Sequence, residues 1–345
     1  MCALLVSAIT LSGAANVITF TTAKAVGEEV TLTMTYKGNK PKLTGLNGTP
    51  TSGKEVTYTL TSQNVTITGD VAFLDCTSNQ LTALDVSKNT KLTELYCYKN
   101  ELTTLALPQS NVLQKLSCHD NQLTALDLSK NTALTMLWCY KNQLTALDVS
   151  KNTKLTVLYC GSNKLIALDL SKNIALIEFN CYDNQLTALD VSTNTKLALL
   201  YCDRNKLKVL DVSKNTMLTH LQCFENRLTA LDLSKNTALA SLHCYGNQIK
   251  GGEMTRLVNS LPNRTKGIGK LIAVQYPAPE GNICLKSDAA IAAKKNWNTY
   301  LYDTQTNEDK LYGGTKRYFL HHRKGGRGDS RLPNRVYGSF IDKRS

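Results

Sequence analysis

Several things are scarce or missing in this chain, and each removes a class of function. After its first dozen residues there is no apolar run approaching the ~20 residues that a membrane-crossing helix needs, so no integral membrane segment is expected in the mature protein. The eleven cysteines include no pair at the short C-x₂₋₄-C spacing that zinc sites favour, and the Gly-rich nonapeptide turns of calcium-binding β-helices are absent. No metal and no cofactor is therefore expected. Histidine is scarce, at five in 345 residues. Of these, His119 lies some five rungs of a repeat, ~25 Å, from His220 and His243. No serine, cysteine or carboxylate set converges with them, so the chain is not expected to be an enzyme. A basic face is also missing, although the formal charge is +13. Residues 316–345 carry nine Lys or Arg against two Asp, which is 9 − 2 = +7, and the rest of the chain shares only 13 − 7 = +6. Mixed charge of that kind is a solvated surface, and no nucleic-acid partner is expected.

What is present is a repeat. Cys76, Cys97, Cys118, Cys139, Cys160, Cys181, Cys202, Cys223 and Cys244 follow one another at 21-residue intervals. Around each lies L-x-x-L-x-C-x-x-N-x-L, as in Leu92, Leu95, Cys97, Asn100 and Leu102. The second half of each unit echoes it, as in Leu81, Leu84, Val86 and Asn89. This predicts a coil with two apolar arms and two Asn corners, carrying a short parallel strand on one side and an extended or 3₁₀ return arm on the other. A single coil cannot bury enough apolar surface to offset its own ordering, so the array needs neighbours and caps.

The caps are legible. Val30–Tyr36, Val56–Leu60 and Val65–Ile67 alternate with period 2 and read as strands covering the first coil. Beyond Asn247 the period breaks into a helix over Glu253–Leu261, a strand over Leu271–Tyr276, a helix over Ser287–Asn296 with Ser287 as N-cap, and a strand over Thr299–Asp303. Residues 1–15 read as the apolar core and cleavage zone of a signal-peptide remnant, with a strand of the mature fold as the rival reading. The expected organisation is 1–15 signal remnant, 16–70 β-rich N-terminal cap, 71–249 repeats, 250–315 α/β C-terminal cap and 316–345 a basic, disordered tail. The fold class is α/β repeat: a leucine-rich-repeat solenoid with a parallel concave β-sheet, a β-rich N-terminal cap and an α/β C-terminal cap.

The Cys-bearing consensus, with the recurring Leu-Asp-Val-Ser-Lys-Asn-Thr at Leu84–Thr90 and Leu147–Thr153, resembles the cysteine-ladder leucine-rich repeats of internalin-J-like surface proteins, most closely those of Bacteroidetes such as Porphyromonas. The resemblance spans about residues 16–314. It implies export, a secreted or outer-surface location, and adhesion to a host or neighbouring-cell protein or glycoprotein, with the virulence and biofilm roles that accompany adhesion. The chain departs from the family in showing no LPxTG sorting signal, no immunoglobulin-like spacer and no recognisable C-terminal secretion domain. The tail from Lys316 changes composition abruptly and reads as an out-of-frame or truncated end. Its Arg327-Gly328-Asp329-Ser330 would be an integrin-type motif if displayed.

Four columns of the repeat are candidates for function. Equivalent residues on in-register parallel strands lie ~4.8 Å apart, whereas a disulfide wants Cβ atoms ~3.8 Å apart. The nine thiols are accordingly read as reduced, buried and small enough to let a tight coil close. The Asn column from Asn79 to Asn247 is read as satisfying backbone groups at the corners of adjacent coils. The Asp column (Asp85, Asp127, Asp148, Asp169, Asp190, Asp211, Asp232), with its flanking lysines, is read as a solubility surface. The informative column is the fourth. Strand alternation turns the residues on both sides of each Cys outward, and those positions hold Tyr96, Tyr98, His119, Trp138, Tyr140, Tyr159, Tyr182, Tyr201, Phe224, His243 and Tyr245. They form a ladder about 35 Å long. Exposed aromatics with polar tips and mixed surrounding charge suit a protein or glycan ligand. The bland reading is cross-strand stacking that steadies the sheet, at ~0.2–1 kcal/mol per pair. Two functions stay open: a monomeric adhesin acting through this face, or a structural spacer presenting a domain that the chain lacks.

Overall fold

The computed structural model describes residues 16–277 and 281–312. The signal-remnant, basic-tail and Arg327–Ser330 expectations lie outside those residues. The N-terminal cap is built from β1 (Val17–Thr22), β2 (Glu29–Tyr36), β3 (Lys42–Thr44), β4 (Leu46–Asn47), β5 (Glu55–Leu60) and β6 (Asn64–Thr68). The coils follow with β7 (Val71–Asp75), β8 (Leu81–Asp85), β9 (Glu94–Tyr96), β10 (Lys115–Ser117), β11 (Met136–Trp138), β12 (Val157–Tyr159), β13 (Glu178–Asn180), β14 (Leu199–Tyr201), β15 (His220–Gln222) and β16 (Ser241–His243). The far end holds α1 (Gly252–Ser260), β17 (Gly269–Tyr276), α2 (Lys286–Lys294), β18 (Trp297–Asp303) and β19 (Glu308–Leu311).

One sheet of 15 strands runs in the order β19-β18-β17-β16-β15-β14-β13-β12-β11-β10-β9-β7-β2-β5-β4. From β9 to β16 each strand pairs in parallel with the equivalent three residues 21 positions on, as Leu95 with Leu116 and Leu137 with Leu158. The 21-residue period thus becomes the register of the sheet. The N-terminal cap continues this sheet by antiparallel pairing of β2 with β7, and a second sheet, β3-β6-β1-β8, extends the other arm of the first coil. The cap therefore prolongs both arms and gives the first coil hydrogen-bonded neighbours on each side.

The middle residue of each strand and the Cys beyond it point inward, from Leu95 and Cys97 to Leu242 and Cys244, all fully buried in one continuous core. The ladder cysteines are free thiols. Burial pushes Cys118 and Cys160 up to about 12 and raises the others, because an apolar interior disfavours a thiolate. The Asn column does hold the coils together. In Asn142 the side-chain amide donates to the Cys118 and Cys139 carbonyls at 3.0 and 3.1 Å, and its oxygen accepts from the Leu123 N–H at 2.9 Å.

The return arm contains no helix among the described coils; it is a run of tight turns, as in Asn152 N–H to Val149 O and Leu155 N–H to Asn152 O. The Asp column has a part in them that the sequence reading missed. Each Asp accepts the backbone N–H of the Ser two residues on, 2.8 Å at Asp148 and Asp169, which fixes the turn into the return arm. That hydrogen bond holds the exposed Asp148 and Asp169 carboxyls below the usual range.

At the far end α1 packs on α2 through Thr255 Oγ1 to Asp288 Oδ1 at 2.8 Å, and Trp297 is buried beneath them with its Nε1–H on the Pro262 carbonyl. The expected N-cap of the second helix needs correction. The cap is Leu285, not Ser287, and Asp288 closes the end by accepting the Leu285 N–H at 2.9 Å. Asp288 lies one turn in, where it also meets the positive end of the helix dipole.

Candidate functional site

The outer face of the sheet is lined by four residues per coil: the first and third of each strand, then the two residues after the Cys. The structure separates the two aromatic columns that the sequence reading had treated alike. Before the Cys, Tyr96, Trp138, Tyr159, Tyr201 and His243 are half-buried, and they alternate with the buried short side chains Ser117 and Asn180. These rings stand in front of the sheet. After the Cys, Tyr98, His119 and Tyr140 are half-buried, but Tyr182, Phe224 and Tyr245 keep only 6, 5 and 4% of their surface. The expectation that both flanks of every Cys lie open thus fails at these three rings, and also at the buried Ser117, Gly161, Asn180 and Asp203.

The reason is the rung spacing. Neighbouring strands lie ~4.8 Å apart, close to the separation at which aromatic planes stack, so each ring in the second column covers the next. Tyr98 stacks on His119 at 4.4 Å and His119 on Tyr140 at 4.1 Å. Phe224 stacks on Tyr245 at 4.5 Å, and Tyr245 on Tyr302 at 4.9 Å. Tyr302 and Tyr300, on β18, join this cluster; the repeat period did not flag them because they lie beyond it. Between the two stacks come Gly161, Tyr182 and Asp203. The Tyr182 ring leans over Gly161, filling the space a Cβ there would need, at 2.1 Å from its Cδ1.

Asp203 is the residue of this column that sequence reasoning passed over. It is fully buried, and neither carboxyl oxygen has a hydrogen-bond partner. Burial pushes its pKa up to about 8; the Arg204 charge and the residue's own backbone N–H oppose the shift, while Glu225 and Asp183 add to it. The only sequence signal was an acidic residue where the neighbouring coils carry rings.

The second residue after each Cys takes a left-handed backbone, with φ between 47 and 54° at Lys99, Asp120, Lys141, Ser162, Asp183, Arg204 and Glu225. These side chains line one margin of the face. Asp120 pairs with Lys141 at 3.2 Å and Arg204 with Glu225 at 2.9 Å. On the opposite margin, Glu94 pairs with Lys115 at 3.2 Å.

The histidines are held locally. His119 Nδ1 lies 2.8 Å from Asp120, and burial between two tyrosine rings lowers its pKa in spite of that carboxylate. His220 Nδ1 lies 2.9 Å from Thr219 Oγ1. The register sets His220 opposite Ser241 and His243 opposite Gln222, so the two imidazoles are diagonal neighbours. Among the described residues no group of three His, Cys, Asp or Glu could hold a metal ion, and no helix is long and apolar enough to cross a membrane.

Against solved structures, the chain is similar to the functional domain of InlJ from Listeria monocytogenes, which includes a cysteine ladder. Identity is 27% over 69% of this chain and 71% of that one, with a TM-score of 0.50. It is also similar to YopM, a leucine-rich effector protein from Yersinia pestis, at 22% identity over 61% of each chain and a TM-score of 0.50. The fold is a leucine-rich-repeat solenoid. A family model described as LVIVD repeat matches residues 61–100, the junction between cap and coils. No curated protein matches. In this leucine-rich-repeat solenoid the ladder positions belong to the core, and the variable positions just described make up the face that a partner could meet.

Proposed function

We propose that the protein is an adhesin-type interaction module, secreted or held at the outer cell surface, whose sheet face binds a protein or glycoprotein of a host or a neighbouring cell. The observation that carries this reading is the column of half-buried rings before the Cys, Tyr96, Trp138, Tyr159 and Tyr201, standing in front of the sheet with charges of both signs around it. Rings in that position add contact area at low entropic cost, and aromatic and Arg side chains dominate binding energy at interfaces. The likeness to InlJ, with its cysteine ladder, supports a binding rather than a catalytic role.

The spacer reading has an observation of its own. Phe224 and Tyr245 are spent on stacking and Tyr182 on covering Gly161, so part of the aromatic content serves the sheet. The test must therefore use the first column. Binding of the chain to a panel of mucins, matrix proteins, glycans and bacterial cells is compared with that of a Tyr96→Ser/Trp138→Ser/Tyr201→Ser variant. Loss of a saturable signal in a variant with unchanged circular dichroism is expected. Equal binding by both, or none by either, leaves the spacer reading in its place.

A further inference from the structure

The repeat supplies its own baseline for surface charge. After Asn121, Asn142 and Asn184 the chain reads Gln-Leu-Thr-Ala, uncharged throughout. After Asn205 it reads Lys206-Leu207-Lys208-Val209, and after Asn226 the first residue is Arg227. These positions open the return arm, past the Asn corner from the aromatic face. In-register coils ~4.8 Å apart bring their outward side chains together. Lys208, Val209, Arg227, Thr229 and Gln248 line one open groove of about 530 Å³.

Nothing within the described chain settles the charge in that groove. Of the other described arginines, Arg204 pairs with Glu225, Arg256 pairs with Glu253, and Arg264 donates to the Leu239 and Lys266 carbonyls. Arg227 has no side-chain partner among the described residues, and Lys208 is in no ion pair there. Lys206, on the coil of Lys208, donates only to the Gln185 amide oxygen at 3.1 Å. No carboxylate lines the groove. Asp211 and Asp232 stand three residues further along the arm, ~10 Å at ~3.3 Å per residue. Each is occupied by a backbone N–H, of Ser213 or Ser234, at 2.8 Å. A solvated corner needs no apolar side chain among its cations, yet Val209 is 73% exposed where the repeat carries alanine.

We propose that this groove is a subsite for an acidic sugar, sulfated or carboxylated, of a glycan chain. The anionic oxygens take the paired N–H donors of Arg227 and the ammonium of Lys208. Thr229 and Gln248 hydrogen-bond the sugar hydroxyls, and Val209 meets an apolar face of the ring. The volume exceeds what an inorganic anion fills and suits a small organic group. No ring in the groove could stack a nucleobase, which sets nucleic acid apart. The site lies off the aromatic face, so it goes beyond the binding role proposed above and stands or falls separately.

Residues 316–345 are basic as well, so binding has to be read residue by residue. The full chain is acetylated at lysine with and without a short sulfated dextran oligomer, and each lysine is followed by mass spectrometry. Protection of Lys208, with Lys151 and Lys172 unprotected, is expected, and unsulfated dextran should protect none of them. Lys208→Thr/Arg227→Gln puts back the residues that the repeat carries as Thr187 and Gln185, and should weaken the sulfated oligomer about tenfold by calorimetry. Lys151→Thr/Lys172→Thr removes the same charge elsewhere on the return arm and should leave affinity within about twofold. The proposal is overturned if the two double variants behave alike, because charge in general would then hold the probe. It is overturned equally if inorganic sulfate or poly-L-glutamate, at matched charge, protects Lys208 as well as the oligomer does. Those outcomes would make the groove a simple anion site or a site for an acidic polypeptide. Tyr96→Ser/Trp138→Ser/Tyr201→Ser should leave the oligomer bound; its loss there would move the site to the aromatic face.

Discussion

Replacing Asp203 by Asn should make the chain more stable, and by an amount that depends on pH. An aspartate in the unfolded chain titrates near 3.8, whereas burial without a partner pushes Asp203 up to about 8 in the fold. Between those two values the folded chain holds a proton that the unfolded chain has released. Stability from this group is therefore fully present below pH ~4, falls as pH rises, and is lost once pH passes ~8. The slope within that window is about 1.4 kcal/mol per pH unit for one proton. From pH 5 to pH 7 the wild type should lose about 3 kcal/mol that Asp203→Asn retains, an upper bound because water entering the site would lessen the shift. The groups facing Asp203, namely Arg204, Glu225 and Asp183, are present in both proteins, so their own titration cancels in the difference. Urea unfolding of the two proteins at pH 5, 6 and 7 gives that difference directly. Two parallel stability lines would show that Asp203 is ionised and solvated in the folded state, and the argument from its unpartnered oxygens would fail.

Other expectations follow from single contacts. Gly161→Ala places a Cβ 2.1 Å from the Tyr182 ring and should cost about 1–3 kcal/mol. The same change in a Tyr182→Ser background should cost close to nothing, and an equal cost in both backgrounds would remove the ring as the cause. The ladder thiols are fully buried, with Cys118 and Cys160 pushed up to about 12, so none should react with a thiol reagent at pH 8 until denaturant is added. Prompt native-state labelling of any ladder cysteine would contradict this. Asn142→Ala strands the Leu123 N–H, while Asn121 and Asn163 still donate to the Cys118 and Cys139 carbonyls, and should cost about 1–3 kcal/mol. Asn152→Ala should cost less, since the Asn152 side-chain oxygen has no partner to lose; equal unfolding midpoints would argue against the difference.

The parts of the fold that could be read from the sequence are those fixed by period. Cysteines 21 residues apart can all be buried only if equivalent residues stack, and that sets the register of β9 to β16 before any coordinate is known. Alternation in Val30–Tyr36 and Val56–Leu60 likewise marks two strands of the cap. What the period could not show is how far a side chain on the outer face is covered by its own neighbours. Tyr159 and Tyr182 look equivalent as outward aromatics beside a Cys. Yet Tyr159 follows Trp138 in a column interrupted by Asn180, while Tyr182 collapses onto a glycine. Exposure in a solenoid is set by the residues 21 positions away on either side, so it has to be read down a column rather than along a strand. Read that way, Gly161 beside Tyr182 was the available signal. Asp203, set one coil before Phe224 and one after Tyr182, was the other.

The left-handed column makes the last argument for a working face. From Lys99 to Glu225 seven successive coils hold a non-glycine residue at φ 47–54°, and only Gly246 relieves the strain. An L-residue in that region costs roughly 1–2 kcal/mol relative to right-handed backbone, and glycine would remove most of it. Coil closure alone gives no reason to keep Lys, Asp, Ser, Arg and Glu there, because the turn is a backbone requirement. Those side chains do, however, form one margin of the sheet face, where they pair across coils or, at Lys99, stand outside any ion pair among the described residues. Strain kept at outward positions points to the side chains being needed for something other than the turn. Lys99→Gly should then leave stability unchanged or raise it by up to ~1 kcal/mol, while Lys99→Val should lower it by more than ~1 kcal/mol. Thermal unfolding of the two variants decides the matter. If Lys99→Gly proved as damaging as Lys99→Val, the lysine side chain would be holding the coil, and this margin would belong to the scaffold rather than to the partner.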